Sequence, residues 1–228
     1  MSGPFPIAAA GAYEPAMLRY DRPRRQFAVV LAGLAGFVDA VGFISASGYF
    51  VSFMSGNTTR LGVALGTDPA QALLPALLII GFLGGVTAGA LIALRAGQLR
   101  KPAVLACVAV LLLAGAGARA VGSEWLMLLA LVLAMGAINN TFQRGGEVTV
   151  GLTYMTGALV RLGQGFALWL AGKAERGWAA WGALWAGLLC GAVLGAFLQS
   201  HLPMGCLWIA GIGAALLALL ALRLPAES

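Results

Sequence analysis

Two arginines, Arg60 and Arg161, stand in near-copies of one short sequence, FMSGNTTRLG from Phe53 to Gly62 and YMTGALVRLG from Tyr154 to Gly163, within an otherwise apolar chain. A guanidinium stays protonated in proteins, and a helix start offers unpaired backbone amides with partial positive charge. Two such stretches brought together would attract an anion. Asp39, in GFVDAVGF, is the complementary group. A carboxylate inside an apolar span needs a partner or a proton, and Arg60 is its natural partner. Its copy in the second half is Asn140, which cannot ionise, so proton coupling would be confined to one half. Ser55, Gly56 and Asn57, with Thr156 and Gly157, complete the candidate binding set. Thr58, Asn139, Thr141 and Gln143 add hydrogen-bonding groups of the kind that line permeation paths and equally join helices. Two readings of the arginines stay open: they hold a solute, or they satisfy carbonyls and a carboxylate and hold the fold.

The elements that position these residues follow from composition. Of 228 residues, 61% are hydrophobic and 10% charged, where soluble domains carry about a quarter charged. The mean hydropathy is +0.91. This is the composition of an integral membrane protein. Crossing a hydrocarbon core takes roughly 20 helical residues, and such runs occur at Phe27 to Ala46, Ala72 to Leu94, Ala103 to Val121, Trp125 to Phe142, Trp178 to Leu198 and Met204 to Leu222. They lack the alternation of barrel strands, so the class is all-α. The first run follows RYDRPRR and carries no small-residue cleavage signature, so it reads as a retained helix rather than a signal peptide.

Placing Met54 on Met155 sets an offset of 101 residues that also aligns Gly56 with Gly157, Arg60 with Arg161, Gly62 with Gly163, Asp39 with Asn140 and Pro102 with Pro203. One residue of slippage aligns Gly85 and Gly89 with Gly187 and Gly191. The chain is two related halves. If the repeated stretch crosses fully, each half has four spans and the halves are parallel; if it dips in and returns, each has three and they are inverted. The three-span arrangement places Arg19, Arg22, Arg24, Arg25, Arg95, Arg100, Lys101, Arg144, Lys173, Arg176 and Arg223 in the cytoplasm and Arg119 outside. The four-span arrangement exports Arg95, Arg100, Lys101 and Arg144. The positive-inside bias prefers the first. The expected fold is therefore six transmembrane helices in two inverted three-helix repeats, each with a re-entrant half-helix. Each dip enters as extended chain, turns at Ser55 and Gly56 or their copies, and returns as a short helix. The expected divisions are a cytoplasmic arm at 1–26, repeats at 27–121 and 122–223, and a tail at 224–228, with both termini cytoplasmic.

The net charge of +6 sits mainly beside the spans, which leaves no basic domain for nucleic acid. Cys107, Cys190 and Cys206 form no CxxC pair and read as packing residues, and neither metal nor cofactor is indicated. His201 reads as a solvated loop residue. The rows Gly81, Gly85, Gly89 and Gly187, Gly191, Gly195 mark faces of close helix approach, within the chain or in a homo-oligomer. No HExxH, GxSxG or phosphate loop is present, so nothing argues for an enzyme.

The stretch GFVDAVGFISASGYFVSFMSGNTTRLGVAL resembles the YoaK-like family of bacterial membrane proteins, a family of unknown function (DUF twelve-seventy-five), and AINNTFQRGGEVTVGLTYMTGALVRLG is similar to that family's second signature. The resemblance covers nearly the whole chain beyond the arm. It carries over Asp39, Gly56, Asn57, Gly157 and Gly163 and implies a bacterial cytoplasmic membrane protein, but little chemistry. The functional expectation is a transporter or channel for a small solute, an anion being the natural class, at a midplane site between the two dips. A non-transporting scaffold or accessory subunit and an intramembrane enzyme are the alternatives.

Overall fold

Asp21 starts the first helix: its Oδ1 accepts the Arg24 amide at 3.1 Å, and Pro23 sits in the first turn, where its missing N–H is not needed. The computed structural model describes residues 21–144, 147–148, 151–173 and 177–224. Eight α-helices are present among them: α1 (Arg22–Ser45), α2 (Met54–Thr67), α3 (Leu73–Ala96), α4 (Arg100–Ala120), α5 (Glu124–Ile138), α6 (Met155–Leu170), α7 (Trp178–His201) and α8 (Cys206–Ala221). A two-residue antiparallel ribbon, β1 (Gln143–Arg144) with β2 (Glu147–Val148), lies between α5 and α6. The helix α1 begins at Arg22, ahead of the expected start of the first repeat at 27. Arg19, Arg176, residues 1–20 of the expected arm and residues 225–228 of the tail lie outside the described residues.

Four helical stretches are long and apolar enough to cross a membrane: Arg22–Ser45, Pro69–Ala120, Glu124–Thr141 and Trp178–His201. The second contains both α3 and α4, which fold back at Gly97, where φ of 53° suits a residue without Cβ. The helix α8 has 16 residues and is about 24 Å long. The outside of the bundle is studded with exposed Ile80, Leu83, Leu94, Val110, Val193 and Leu219. In water such a surface would aggregate; in lipid it is solvated.

Glycine contacts give the helix directions. Along α1 and α7, Gly187 meets Val29, Gly191 meets Gly33 and Gly195 meets Phe37, so the two helices run parallel. Along α3 and α5, Gly81 meets Val132, Gly85 meets Leu133 and Gly89 meets Ala137, and these too run parallel. By contrast α4 is antiparallel to α5, with Gly115 against Ala130 at one end and Lys101 over the Phe142 ring, 5.5 Å away, at the other. It is also antiparallel to α8, through Leu113 against Gly211 and Arg119 beside Cys206. The rings of Phe27 and Phe142 meet at 6.4 Å, which sets the start of α1 against the end of α5. Hence α1, α4 and α7 point one way and α3, α5 and α8 the other. The glycine rows are engaged inside the chain, and the faces expected to serve a homo-oligomer are occupied by α1 and α5.

Candidate functional site

Past Ser45 the chain reverses through Ser47 (φ 52°) and Gly48 (φ 91°) and turns back beside α1. Two side chains hold this returning segment. Asp39 Oδ1 accepts the backbone amides of Val51 at 3.0 Å and Ser52 at 2.9 Å. The Asn57 amide pairs with both backbone groups of Phe50: its Oδ1 accepts the Phe50 N–H at 3.1 Å, and its Nδ2 donates to the Phe50 carbonyl at 2.7 Å. Extended backbone inside an apolar bundle requires such partners. Asn57 is fully buried by this arrangement.

These bonds correct two sequence expectations. Asp39 is not ion-paired with Arg60; the ion pair among the described residues joins Arg24 to Asp21. The turn does not fall at Ser55 and Gly56 either. Side chains pin the extended stretch upstream, the helix starts at Met54, and Ser55 and Gly56 lie in its first turn. A Cβ at Gly56 would meet the Phe53 and Phe50 rings, so glycine admits the rings here.

In the second half the same task falls to Asn139. Its Oδ1 accepts from the Thr153 amide at 3.4 Å and the Thr153 hydroxyl at 3.2 Å, while its Nδ2 donates to the Met135 carbonyl at 3.0 Å. Asn140, which the sequence offset matched to Asp39, instead turns outward from α5 and donates to the Val86 carbonyl of α3 at 3.0 Å. The cap thus sits one residue short of the 101-residue offset, whereas the glycine rows sit one residue beyond it.

Both short helices start without a side-chain cap, so their first amides lack intrahelical acceptors. Both starts open on one cavity of about 280 Å³, lined by Ser52, Phe53, Met54 and Ser55 from one copy and Thr153, Tyr154, Met155, Thr156 and Gly157 from the other, with Phe82 of α3 beside them. At the sequence offset these are matched pairs: Ser52 with Thr153, Phe53 with Tyr154, Met54 with Met155, Ser55 with Thr156. Five hydroxyl-bearing side chains among the four pairs, Ser52, Ser55, Thr153, Tyr154 and Thr156, together with helix-start amides, provide hydrogen-bonding groups, and the walls bear no formal charge. The lining residues before Ser55 and Thr156 were missed as site residues, although the repeat offset paired them.

The arginines stay away from the cavity. The Arg60 guanidinium lies over the Tyr49 ring, 4.8 Å from its centroid, and Arg161 lies over Trp181 at the same distance. Each stands six residues past the first residue of its helix, about 9 Å further along the axis. A ring face offers a desolvated guanidinium a favourable electrostatic partner, and here it takes the place the sequence assigned to Asp39. Of the nine candidate residues, Ser55, Thr156 and Gly157 line the cavity; Asp39, Asn57 and Asn140 bond to backbone; Arg60 and Arg161 stack on rings; Gly56 adjoins the first helix start.

Comparison with known proteins adds class rather than chemistry. Residues 27–220 match the family described as "Protein of unknown function (DUF1275)". The chain is 40% identical over 197 residues to "UPF0700 transmembrane protein RA0705" of Rhizobium meliloti (strain 1021), an alignment covering 84% of this chain and 83% of that one. No solved structure matches.

Proposed function

Because the chain belongs to the DUF1275 family and is a multi-pass membrane protein, we propose that it is a transporter or channel for a small solute, held in the cavity between the starts of α2 and α6. The observation that carries this reading is the cavity itself: two uncapped helix starts, from matched copies of one motif, face one space of about 280 Å³. That is room for about nine waters' share of liquid volume, hence for a small ion with part of its shell or a small polar molecule. Broken helices from inverted repeats that meet at a shared site are a transporter device. This is a likeness of form alone.

The helix directions support six spans in two inverted halves. The chain leaves α1 and enters α3 at the same end of the bundle, so α2, which starts beside Phe82 halfway along α3, dips in and returns. The same holds for α6 between α5 and α7, from the other end. Arg22, Arg25, Arg95, Arg100, Lys101, Lys173 and Arg223 then share one end, which the positive-inside bias places in the cytoplasm of a bacterial cell, while Arg119 lies opposite. Preference for an anion, in this reading, comes from the two helix-start dipoles rather than from the arginines.

The test is uptake by the full chain in proteoliposomes, using chloride, formate, glycerol and urea as probes, with and without a pH gradient. At least one probe is expected to cross faster than in protein-free vesicles. Ser55→Trp and Thr156→Trp, which fill the cavity, are expected to abolish that flux at equal membrane abundance. Flux of no probe, or flux indifferent to both tryptophans, overturns the reading in favour of a scaffold or accessory subunit.

A further inference from the structure

A second cavity, of about 630 Å³, lies between the first turns of α1 and α7, and its walls change character with depth. Arg22 and Arg25 stand at the helix start, and Val29 and Val30 lie one to two turns deeper on the same face of α1. Ala180 and Ala183 of α7 close the other side, and as small residues they leave the groove open. The two helices run parallel here, so both N-termini and their dipoles end at this level of the bundle. Arg24 faces Asp21, but Arg22 and Arg25 have no acidic partner among the described residues. A cationic rim above an apolar slot, placed where a spanning helix leaves the hydrocarbon, matches the build of one class of molecule.

We propose that this groove binds an anionic phospholipid, with the headgroup phosphate on Arg22 and Arg25 and one acyl chain along Val29, Val30 and the two alanines. The charge of the rim selects against zwitterionic lipid, since basic side chains at the membrane surface favour anionic headgroups. The apolar walls distinguish a lipid from free phosphate, which would gain nothing from them. The site is separate from the cavity between α2 and α6 and stands whether or not the protein transports a solute.

The experiment is native mass spectrometry of the full chain released from vesicles of phosphatidylglycerol and phosphatidylcholine in equal amounts. Phosphatidylglycerol is expected to be retained in preference. Arg22→Gln with Arg25→Gln is expected to weaken retention about thirtyfold, with helical circular dichroism unchanged. Ala183→Leu, which narrows the slot and leaves the charge, is expected to weaken it as well. Equal retention of the two lipids, retention unaffected by the double variant, or loss confined to the charge variants overturns the proposal. So does a full chain that retains no lipid because its own N-terminal arm or a second copy closes the groove.

Discussion

Asp39 does for the first half what the neutral Asn139 does for the second, and that equivalence identifies its role. An acceptor oxygen is needed at the point where extended backbone passes the helix; a charge is not. Asp39→Asn, which keeps an acceptor, is therefore expected to alter stability by less than about 1 kcal/mol. Asp39→Ala leaves the Val51 and Ser52 amides unsatisfied and is expected to lose about 2 kcal/mol or more. Thermal unfolding in detergent, followed by circular dichroism, separates the two; equal losses would mean that the carboxylate's charge matters. The two arginines are likewise held by local contacts. Their rings hold them along α2 and α6 and away from the cavity, so Arg60→Gln and Arg161→Gln are expected to lower stability by roughly 0.5 to 2 kcal/mol each while leaving the uptake rate at equal abundance unchanged. A collapse of uptake in a folded double variant would return them to the mechanism.

At the level of elements, the glycines divide into two sets that sequence spacing does not separate. A Cβ on Gly191 or Gly85 would run into the carbonyl oxygen of Gly33 or Leu133, whereas Gly157 and Gly163 have nothing within 4 Å. Forcing the α1–α7 or α3–α5 pair apart is an overpacking change. Gly191→Ala and Gly85→Ala are therefore expected to destabilise by about 1 to 3 kcal/mol. Gly157→Ala and Gly163→Ala are expected to be neutral or to gain up to about 1 kcal/mol from helix propensity. The same unfolding assay reads both, and equal behaviour of the two pairs would mean that the glycine rows are not the contact faces.

For the whole molecule the decisive property is direction. With Cys107, Cys190 and Cys206 replaced by alanine, a single cysteine at Gln71 or Glu124 is expected to react with an impermeant maleimide on intact cells. One at Leu99 or Lys173 is expected to react only after permeabilisation. Reactivity of Leu99→Cys on intact cells, with Gln71→Cys and Glu124→Cys protected, would mean that α2 crosses fully and the halves are parallel.

Much of this architecture was legible in the amino-acid order, because lipid imposes a rule that acts on short range. Every backbone group in hydrocarbon must be paired within its own segment, so a run of about twenty apolar residues is a helix wherever it sits. A stretch rich in glycine, threonine and asparagine is then an interruption that must lie inside the protein. The spans, the repeat, the interrupted stretches and the existence of buried polar groups all follow from residues near one another in the chain. Partner choice does not. Whether Asp39 meets Arg60 or the amides of Val51 and Ser52, whether Asn139 or Asn140 takes its place, and whether Arg60 faces Asp39 or Tyr49 are decided where distant segments come within about 3 to 5 Å. A register offset of one residue turns an α-helical side chain by about 100°, enough to exchange the two asparagines between a cap and an interhelical bond. Sequence alone settled which residues had to be kept from lipid; the tertiary structure decided what each of them touches, because hydrogen bonds and ring contacts fail within an ångström or two.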